Sequence, residues 1–98
     1  GKILLYGGGK YARKFLFFGW TALRKVEKIM IVDDNPANTN TFIYGIACQH
    51  PSKIRPEEWD TVLITSDSYE DVLYQNAQKW AKTMPVLRIS DLVNNEKN

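Results

Sequence analysis

Short apolar runs alternate along the chain with amphipathic segments, which is typical of a sheet whose strands are joined by helices. The runs are too short for helices, and most of them end at Gly, Pro, Asp or Ser, which favours strands. The run 29–32 is apolar at every position, as expected for a parallel strand that is covered on both faces. The strands predicted in this way are 3–6, 29–32, 46–48, 62–65 and 86–89.

Two segments carry apolar residues at helical spacing. The first lies within residues 12–23, directly after the first predicted strand. The second lies within residues 69–84, where Ser68 and Asp71 have the spacing of a capping box and Pro85 ends the pattern. Shorter helical elements are predicted at 52–58 and after Ser90.

This alternation predicts an α/β fold over residues 1–98, organised as one domain of a longer protein. Each crossover between parallel strands is expected to be right-handed and to lie on one face of the sheet. We therefore predict three layers, with about five parallel strands in the order 3-2-1-4-5. Residues 35–41 are rich in turn formers, and the third strand is predicted after them.

The most informative motif lies between the first strand and the first helix. Residues 7–12, Gly-Gly-Gly-Lys-Tyr-Ala, match the dinucleotide-binding pattern G-x-G-x-x-G/A in the expected context. The glycines permit a tight turn and a close approach of the backbone to phosphate, and the free N–H groups of a helix N-terminus attract an anion. The predicted phosphate-binding residues are Gly7, Gly8, Gly9, Lys10 and Tyr11.

Acidic residues complete the predicted site at the end of the second strand. Asp33 lies about 20 residues beyond the glycine turn, where the pattern expects a carboxylate that bonds ribose hydroxyls. Asp34 follows it, and Ser66 lies at the carboxyl end of the fourth strand, on the side where open α/β sheets bind ligands. The alternative is that the glycines only form a turn, that residues 33–36 only end a strand, and that Ser66 only caps a helix.

The segments 3–14, 31–36 and 44–52 resemble the Rossmann-like N-terminal domains of bacterial sugar-modifying proteins. These proteins include sugar O- or N-acetyltransferases and nucleotide-sugar dehydratases. The resemblance implies a nucleotide-sugar-binding module, with the glycine turn near the phosphates and Asp33 and Asp34 near the nucleoside or sugar. The hexapeptide repeats that carry acetyl transfer in such proteins do not occur in this chain, so we expect no acetyl transfer from it alone.

A second resemblance is weaker. Residues 31–36 also look like the acidic pair of a response-regulator receiver domain, which binds magnesium. A receiver needs an Asp at the end of a later strand, whereas the run 62–64 is followed by Thr65 and Ser66. The Lys that a receiver carries after its last strand is also replaced, by Ser90, and we favour the Rossmann-like alternative.

Composition and charge exclude several other classes. The chain is 44% hydrophobic and 24% charged with a net charge of +2, as in ordinary globular proteins, and it has no apolar run long enough for a membrane span. Seven of the Lys and Arg residues lie in residues 1–28, but no nucleic-acid-binding module accompanies them. Because Cys48 is the only cysteine and no signal peptide is recognisable, we expect a cytoplasmic protein. His50 has no ligand partners at metal-binding spacing.

The predicted function is a nucleotide or nucleotide-sugar binding domain of a bacterial polysaccharide or sugar-modifying protein. We predict a UDP-sugar or NAD as the ligand, no catalytic residues, no metal, and chemistry supplied by an adjoining catalytic domain. Two alternatives stay open: the NAD-binding half of a sugar dehydrogenase or dehydratase, and a structural Rossmann-like module that binds nothing. Because no arginine follows Asp33 directly, NAD is expected to be preferred over NADP if either binds.

Overall fold

Six strands form one mixed sheet in the computed structural model, which describes residues 1–7, 26–43, 45–66 and 69–88. The sheet order is β3-β4-β2-β1-β5-β6. All neighbouring strands are parallel except β3 and β4, which form an antiparallel hairpin at one edge. The strands are β1 (Lys2–Tyr6), β2 (Lys28–Val32), β3 (Thr41–Ile43), β4 (Ile46–Gln49), β5 (Thr61–Ile64) and β6 (Val86–Arg88).

The centre of the sheet is β1, which pairs with β2 on one side and with β5 on the other. Tyr6 at its carboxyl end is in register with Val32 of β2 and Ile64 of β5. The carboxyl ends of the three central strands therefore lie level with one another. Any side chain or loop that follows directly after these strands is brought to a single edge.

Each face of the sheet carries its own cluster of buried apolar side chains, because successive residues of a strand point to opposite faces. The first face holds Leu4, Tyr6, Val32, Val62 and Ile64, all of them fully buried. The second face holds Leu5, Ile31, Ile43, Cys48 and Leu63. Burial on both faces explains why the central runs are continuously apolar rather than alternating.

Helix α1 (Glu70–Trp80) covers the first face and packs there through Ala77. It begins with Glu70 and Asp71, whose negative charges suit a helix N-terminus, and Arg88 of β6 lies 3.3 Å from the Asp71 carboxylate. The helix ends earlier than the predicted limit at residue 84, because Lys82 adopts a left-handed conformation with φ of 59°. Met84 is nevertheless buried against the core, outside the helix.

The connection from β4 to β5 crosses the same face through two 3₁₀ turns, Pro51–Lys53 and Pro56–Glu58. Each turn begins with a proline, whose fixed φ suits a first helical position. His50 caps the first turn, since its Nδ1 accepts a hydrogen bond of 3.2 Å from the Ser52 N–H. The sequence predicted one helical turn here, and the structure has two separate ones with Trp59 packed into the core behind them.

The observed count and order of strands differ from the prediction by one added edge strand, β3, while the five predicted strands keep the order 3-2-1-4-5 among themselves. The sheet has six strands rather than about five and is not entirely parallel, because Thr41–Ile43 pairs with Ile46–Gln49 as an antiparallel hairpin. The three residues of β3 were not predicted as a strand because turn formers precede them and Gly45, with φ of 78°, follows shortly after them. A mixed α/β sheet with a parallel centre is compatible with a Rossmann-like fold.

The three-layer arrangement stays a prediction. The helices predicted within 12–23 and after Ser90, and the cap residue Ser68, lie outside the described residues. No helix in the described part of the chain combines the length and the apolar character that crossing a membrane requires.

Candidate functional site

Gly7 takes the chain out of the central strand in a conformation that favours glycine. Its φ is 112°, and its N–H donates a hydrogen bond of 2.7 Å to the Val32 carbonyl. A Cβ placed on Gly7 would lie 3.2 Å from Leu73 Cδ1 and 3.3 Å from Thr65 Oγ1. The backbone therefore passes between β5 and α1 with room for a glycine but little room for a side chain.

Thr65 joins the end of β5 to the end of β1. Its N–H donates to the Tyr6 carbonyl at 2.9 Å. Its buried hydroxyl lies 2.9 Å from that same carbonyl and 2.7 Å from the carbonyl of Gly7. These bonds satisfy buried backbone acceptors just where β1 ends, and they fix the position from which the predicted glycine turn begins.

Asp33 organises the loop that follows β2. One of its carboxylate oxygens accepts from the Asn35 N–H at 2.9 Å, and the other accepts from Asn38 Nδ2 at 2.8 Å. The backbone N–H of Asp33 donates to the Gln49 carbonyl at 3.0 Å. Because a carboxylate can accept about four hydrogen bonds, each oxygen of Asp33 still has room for a hydroxyl donor.

Asp34 is tied to the core through a tyrosine. The hydroxyl of Tyr6, the last residue of β1, donates a hydrogen bond of 2.5 Å to Oδ2 of Asp34, which lies in the loop after β2. The Tyr6 ring is fully buried and meets the Trp80 ring edge to face, with centroids 5.2 Å apart. Burial, and secondly the bond to the Asp34 carboxylate, raise the pKa of Tyr6 far above its usual range.

These contacts bring Gly7, Asp33, Asp34 and Ser66 to the same carboxyl edge of the sheet. The chain leaves β1 toward β2 on one side and later returns to β5 on the other, so this edge contains a point where the strand order reverses. Open α/β sheets bind ligands at such points. The other predicted phosphate-binding residues lie outside the described residues: Gly8, Gly9, Lys10 and Tyr11.

Ser66 has a structural partner in addition to its predicted role. Its Oγ accepts a hydrogen bond of 3.2 Å from the Tyr69 N–H, just before α1 begins. This bond satisfies one of the free N–H groups at the start of the helix. A contact between Ser66 and a nucleotide stays a prediction.

Sequence reasoning missed two residues of this edge, Tyr6 and Thr65. Tyr6 and Thr65 each stand at the end of an apolar run, and the pattern predicts only that they belong to strands. Their hydroxyls gain partners across the sheet, separated by 28 residues for Tyr6 and by 58 or 59 for Thr65, so spacing along the chain carried no signal. The usable signal was weaker: a polar atom at the last position of a buried strand requires a partner.

Two further side chains of chemically reactive types, Cys48 and His50, have roles in packing and in a turn. Cys48 is fully buried in the second apolar cluster, where burial and then the negative charge of Asp33 raise the pKa of its thiol. His50 lies in the turn that it caps. Within the described ranges no group of three or more His, Cys, Asp or Glu side chains is arranged to hold a metal ion.

The surroundings of Tyr6 predict a specific dependence of stability on pH. Because the pKa of Tyr6 is raised on folding, its contribution is fully present below the unfolded pKa of about 10 and is lost as the pH rises toward the folded value. Between about pH 9 and 11.5, the free energy of unfolding should fall more steeply in the parent chain than in Tyr6→Phe. Urea unfolding at several pH values measures both slopes.

The matched control is Tyr69→Phe, which removes a hydroxyl from an exposed ring. This variant should keep the slope of the parent chain. Equal slopes for the parent chain and Tyr6→Phe would show that the Tyr6 hydroxyl is not held in its protonated form by the fold.

Comparison with known proteins shows similarity in structure alone. No protein-family model matches the chain, and no curated protein matches its sequence significantly. Among solved structures, the fold is similar to that of a protein named UDP-D-quinovosamine 4-dehydrogenase from Vibrio fischeri. The TM-score is 0.56 at 20% sequence identity, and the match covers 97% of this chain and 84% of that one. The chain therefore shares its fold with a protein named as a nucleotide-sugar enzyme.

Proposed function

We propose that this chain is a nucleotide-binding domain that takes a nucleotide sugar or NAD at the carboxyl edge of β1, β2 and β5. The observation that carries the proposal is the juxtaposition of Gly7 and Asp33. The Gly7 N–H donates to the carbonyl of Val32, the residue before Asp33, so the glycine turn begins beside the end of β2 from which Asp33 follows. A pyrophosphate on the turn would place a ribose near Asp33.

The chemistry of the loop supports a ribose partner. Two internal hydrogen bonds hold the Asp33 carboxylate in place, and its remaining acceptor positions suit the two hydroxyls of a ribose. A 2′-phosphate at the same position would be repelled by this carboxylate. We therefore propose NAD rather than NADP as the dinucleotide alternative.

The proposed ligand class also takes support from the structural neighbour. A protein named as a dehydrogenase of a UDP-sugar has a similar fold over nearly the whole of this chain. This likeness favours the alternative in which the domain is the NAD-binding part of a nucleotide-sugar enzyme. The resemblance to sugar acetyltransferases has no such support from a similar solved structure.

We propose that the domain binds without catalysing a reaction on its own. The tyrosine at this edge is buried, and its raised pKa makes it a poor proton donor and a poor base near neutral pH. Asp33 is committed to two turn contacts, and Asp34 to Tyr6. The reacting groups would come from an adjoining catalytic domain.

Isothermal titration of the chain with NAD, NADP and UDP-N-acetylglucosamine tests the proposal. Loss of a hydrogen bond to a charged acceptor costs about 1.5–3 kcal/mol, so Asp33→Asn should weaken NAD binding at least about tenfold. The same substitution should reduce the preference for NAD over NADP. Glu57→Gln removes the same charge from an exposed 3₁₀ turn before β5 and should leave the affinity unchanged.

Several results would contradict the proposal. Absence of binding by all three probes would favour a structural module. NADP binding more tightly than NAD would remove Asp33 from the ribose role, and sustained turnover of a UDP-sugar by the purified chain would establish an enzyme.

A further inference from the structure

A groove of about 460 Å³ lies on the first face of the sheet, where β2 and β4 are not covered by α1. One wall is the crossover that carries the two 3₁₀ turns. Met30, Ile54 and Trp59 form its apolar surface. The volume falls within the range of small-molecule pockets, about 300–1,000 Å³.

Positive charge is concentrated around this groove. Among the residues that the structure describes, Lys28, Lys53 and Arg55 line it together with one acidic residue, Glu58. The closest Arg55–Glu58 contact is 3.9 Å between exposed side chains, which leaves the guanidinium only weakly held. The Lys28 ammonium lies 4.7 Å from the centroid of the Trp59 ring, so a contact with the indole holds it at the groove.

Two amide side chains form the end of the groove near the carboxyl end of β4. Gln49 Nε2 donates a hydrogen bond of 2.6 Å to Asn40 Oδ1. This bond orients both amides and leaves the Asn40 amino group as a donor and the Gln49 carbonyl as an acceptor. Such a donor and acceptor pair suits hydroxyl groups, which both give and accept hydrogen bonds.

We infer that this groove is a binding site for a phosphorylated sugar, separate from the nucleotide site at the carboxyl edge. The described side chains of the lining carry two more positive than negative charges, which matches a phosphate dianion better than a monocarboxylate. The oriented amides of Asn40 and Gln49 bind hydroxyls, and the carbon skeleton lies on Met30 and Ile54. Neither Gly7, Asp33 nor Asp34 lines the groove, so the inference does not depend on the proposed nucleotide site.

Nuclear magnetic resonance titration of the whole chain with glucose 1-phosphate tests the inference. The side-chain NH₂ signals of Asn40 and Gln49 should shift and saturate, while the backbone amide of Gly7 should not. Glucose and gluconate, which lack the phosphate, should bind at least about tenfold more weakly. Prior saturation with NAD or UDP-N-acetylglucosamine should leave the titration unchanged.

Matched variants separate the cationic rim from the amide pair. The double variant Lys53→Gln/Arg55→Gln changes two exposed side chains and should weaken binding of glucose 1-phosphate at least about tenfold. Lys79→Gln, on the exposed surface of α1, should have no effect. Asn40→Gly suits the positive φ of 63° at that position and should weaken glucose 1-phosphate binding without changing that of inorganic phosphate.

Three results would overturn the inference. The first is no saturable shift of the Asn40 and Gln49 signals at millimolar glucose 1-phosphate. The second is equal affinity for gluconate and glucose 1-phosphate, which would show a nonspecific basic surface. The third is displacement of glucose 1-phosphate by NAD, which would assign the binding to the carboxyl edge instead.

Discussion

Replacing Gly7 with alanine is expected to lower the free energy of unfolding by roughly 2–5 kcal/mol. The φ of 112° at this position is strained for any residue with a Cβ, and this contributes about 1–3 kcal/mol. The new methyl group would also lie 3.2 Å from Leu73 Cδ1 and 3.3 Å from Thr65 Oγ1, so these side chains would have to shift by a few tenths of an ångström. Urea unfolding followed by tryptophan fluorescence measures the change.

The chain contains a matched control for this substitution. Gly45 also has a positive φ, of 78°, but among the described residues no atom beyond its chain neighbours lies within 4 Å of the position that its Cβ would take. Gly45→Ala should therefore cost only the backbone contribution, about 1–2 kcal/mol. If the two variants lose the same stability, crowding at Gly7 does not contribute to the loss. The inference that Gly7 is packed closely against Thr65 would then be wrong.

Replacing Trp59 with alanine is expected to lower the free energy of unfolding by roughly 3–5 kcal/mol, a large share of the total for a small domain. The side chain is 7% exposed and joins the 3₁₀ crossover to the first face of the sheet. Its removal would leave a cavity on the part of β2 that α1 does not cover, and Lys28 would lose the ring beneath its ammonium. Thermal and urea unfolding should both show the loss.

Phe42→Ala is the control for loss of an aromatic ring. Phe42 lies on β3 and is 71% exposed, so its truncation should change stability by about 0.5 kcal/mol or less. A Trp59→Phe variant should fall between the two, because part of the ring volume is kept. If Trp59→Ala lost no more stability than Phe42→Ala, the crossover would not be anchored to the sheet through Trp59.

The central strands could be predicted because a strand that is buried on both faces of the sheet needs an apolar residue at every position, and such continuous runs are visible in the sequence. The run 29–32 marks β2 directly, and helical spacing marks most of α1. Strand β3 has only three residues next to turn formers, and its apolar residues, Phe42 and Ile43, form a run too short to predict a strand by themselves. Only residues 44 and 45 separate β3 from β4, and the glycine in this short connection is a local hairpin signal that the prediction did not use.

The candidate site could be predicted only in part, for a similar reason. The position of Asp33 follows from its distance to the glycines and from the end of an apolar run. The bonds from Tyr6 to Asp34 and from Thr65 to Gly7 arise only when distant strands align. The contacts of Asp33 with Asn35 and Asn38 are local, and the turn formers in 33–38 did indicate them.

The central position of β1 has a consequence for how the protein is made. On the ribosome β1 emerges before the other strands of the described sheet, and its hydrogen bonds on one side can form only after β5 emerges, since Tyr6 pairs with Ile64, 58 residues further along. Closing so long a loop is slow compared with local pairing. Until β5 emerges, Leu4 and its neighbours expose an open strand edge to other chains, which makes the nascent chain prone to aggregation. Synthesis at reduced temperature or with a chaperone should therefore increase the soluble yield more than stabilising α1 does.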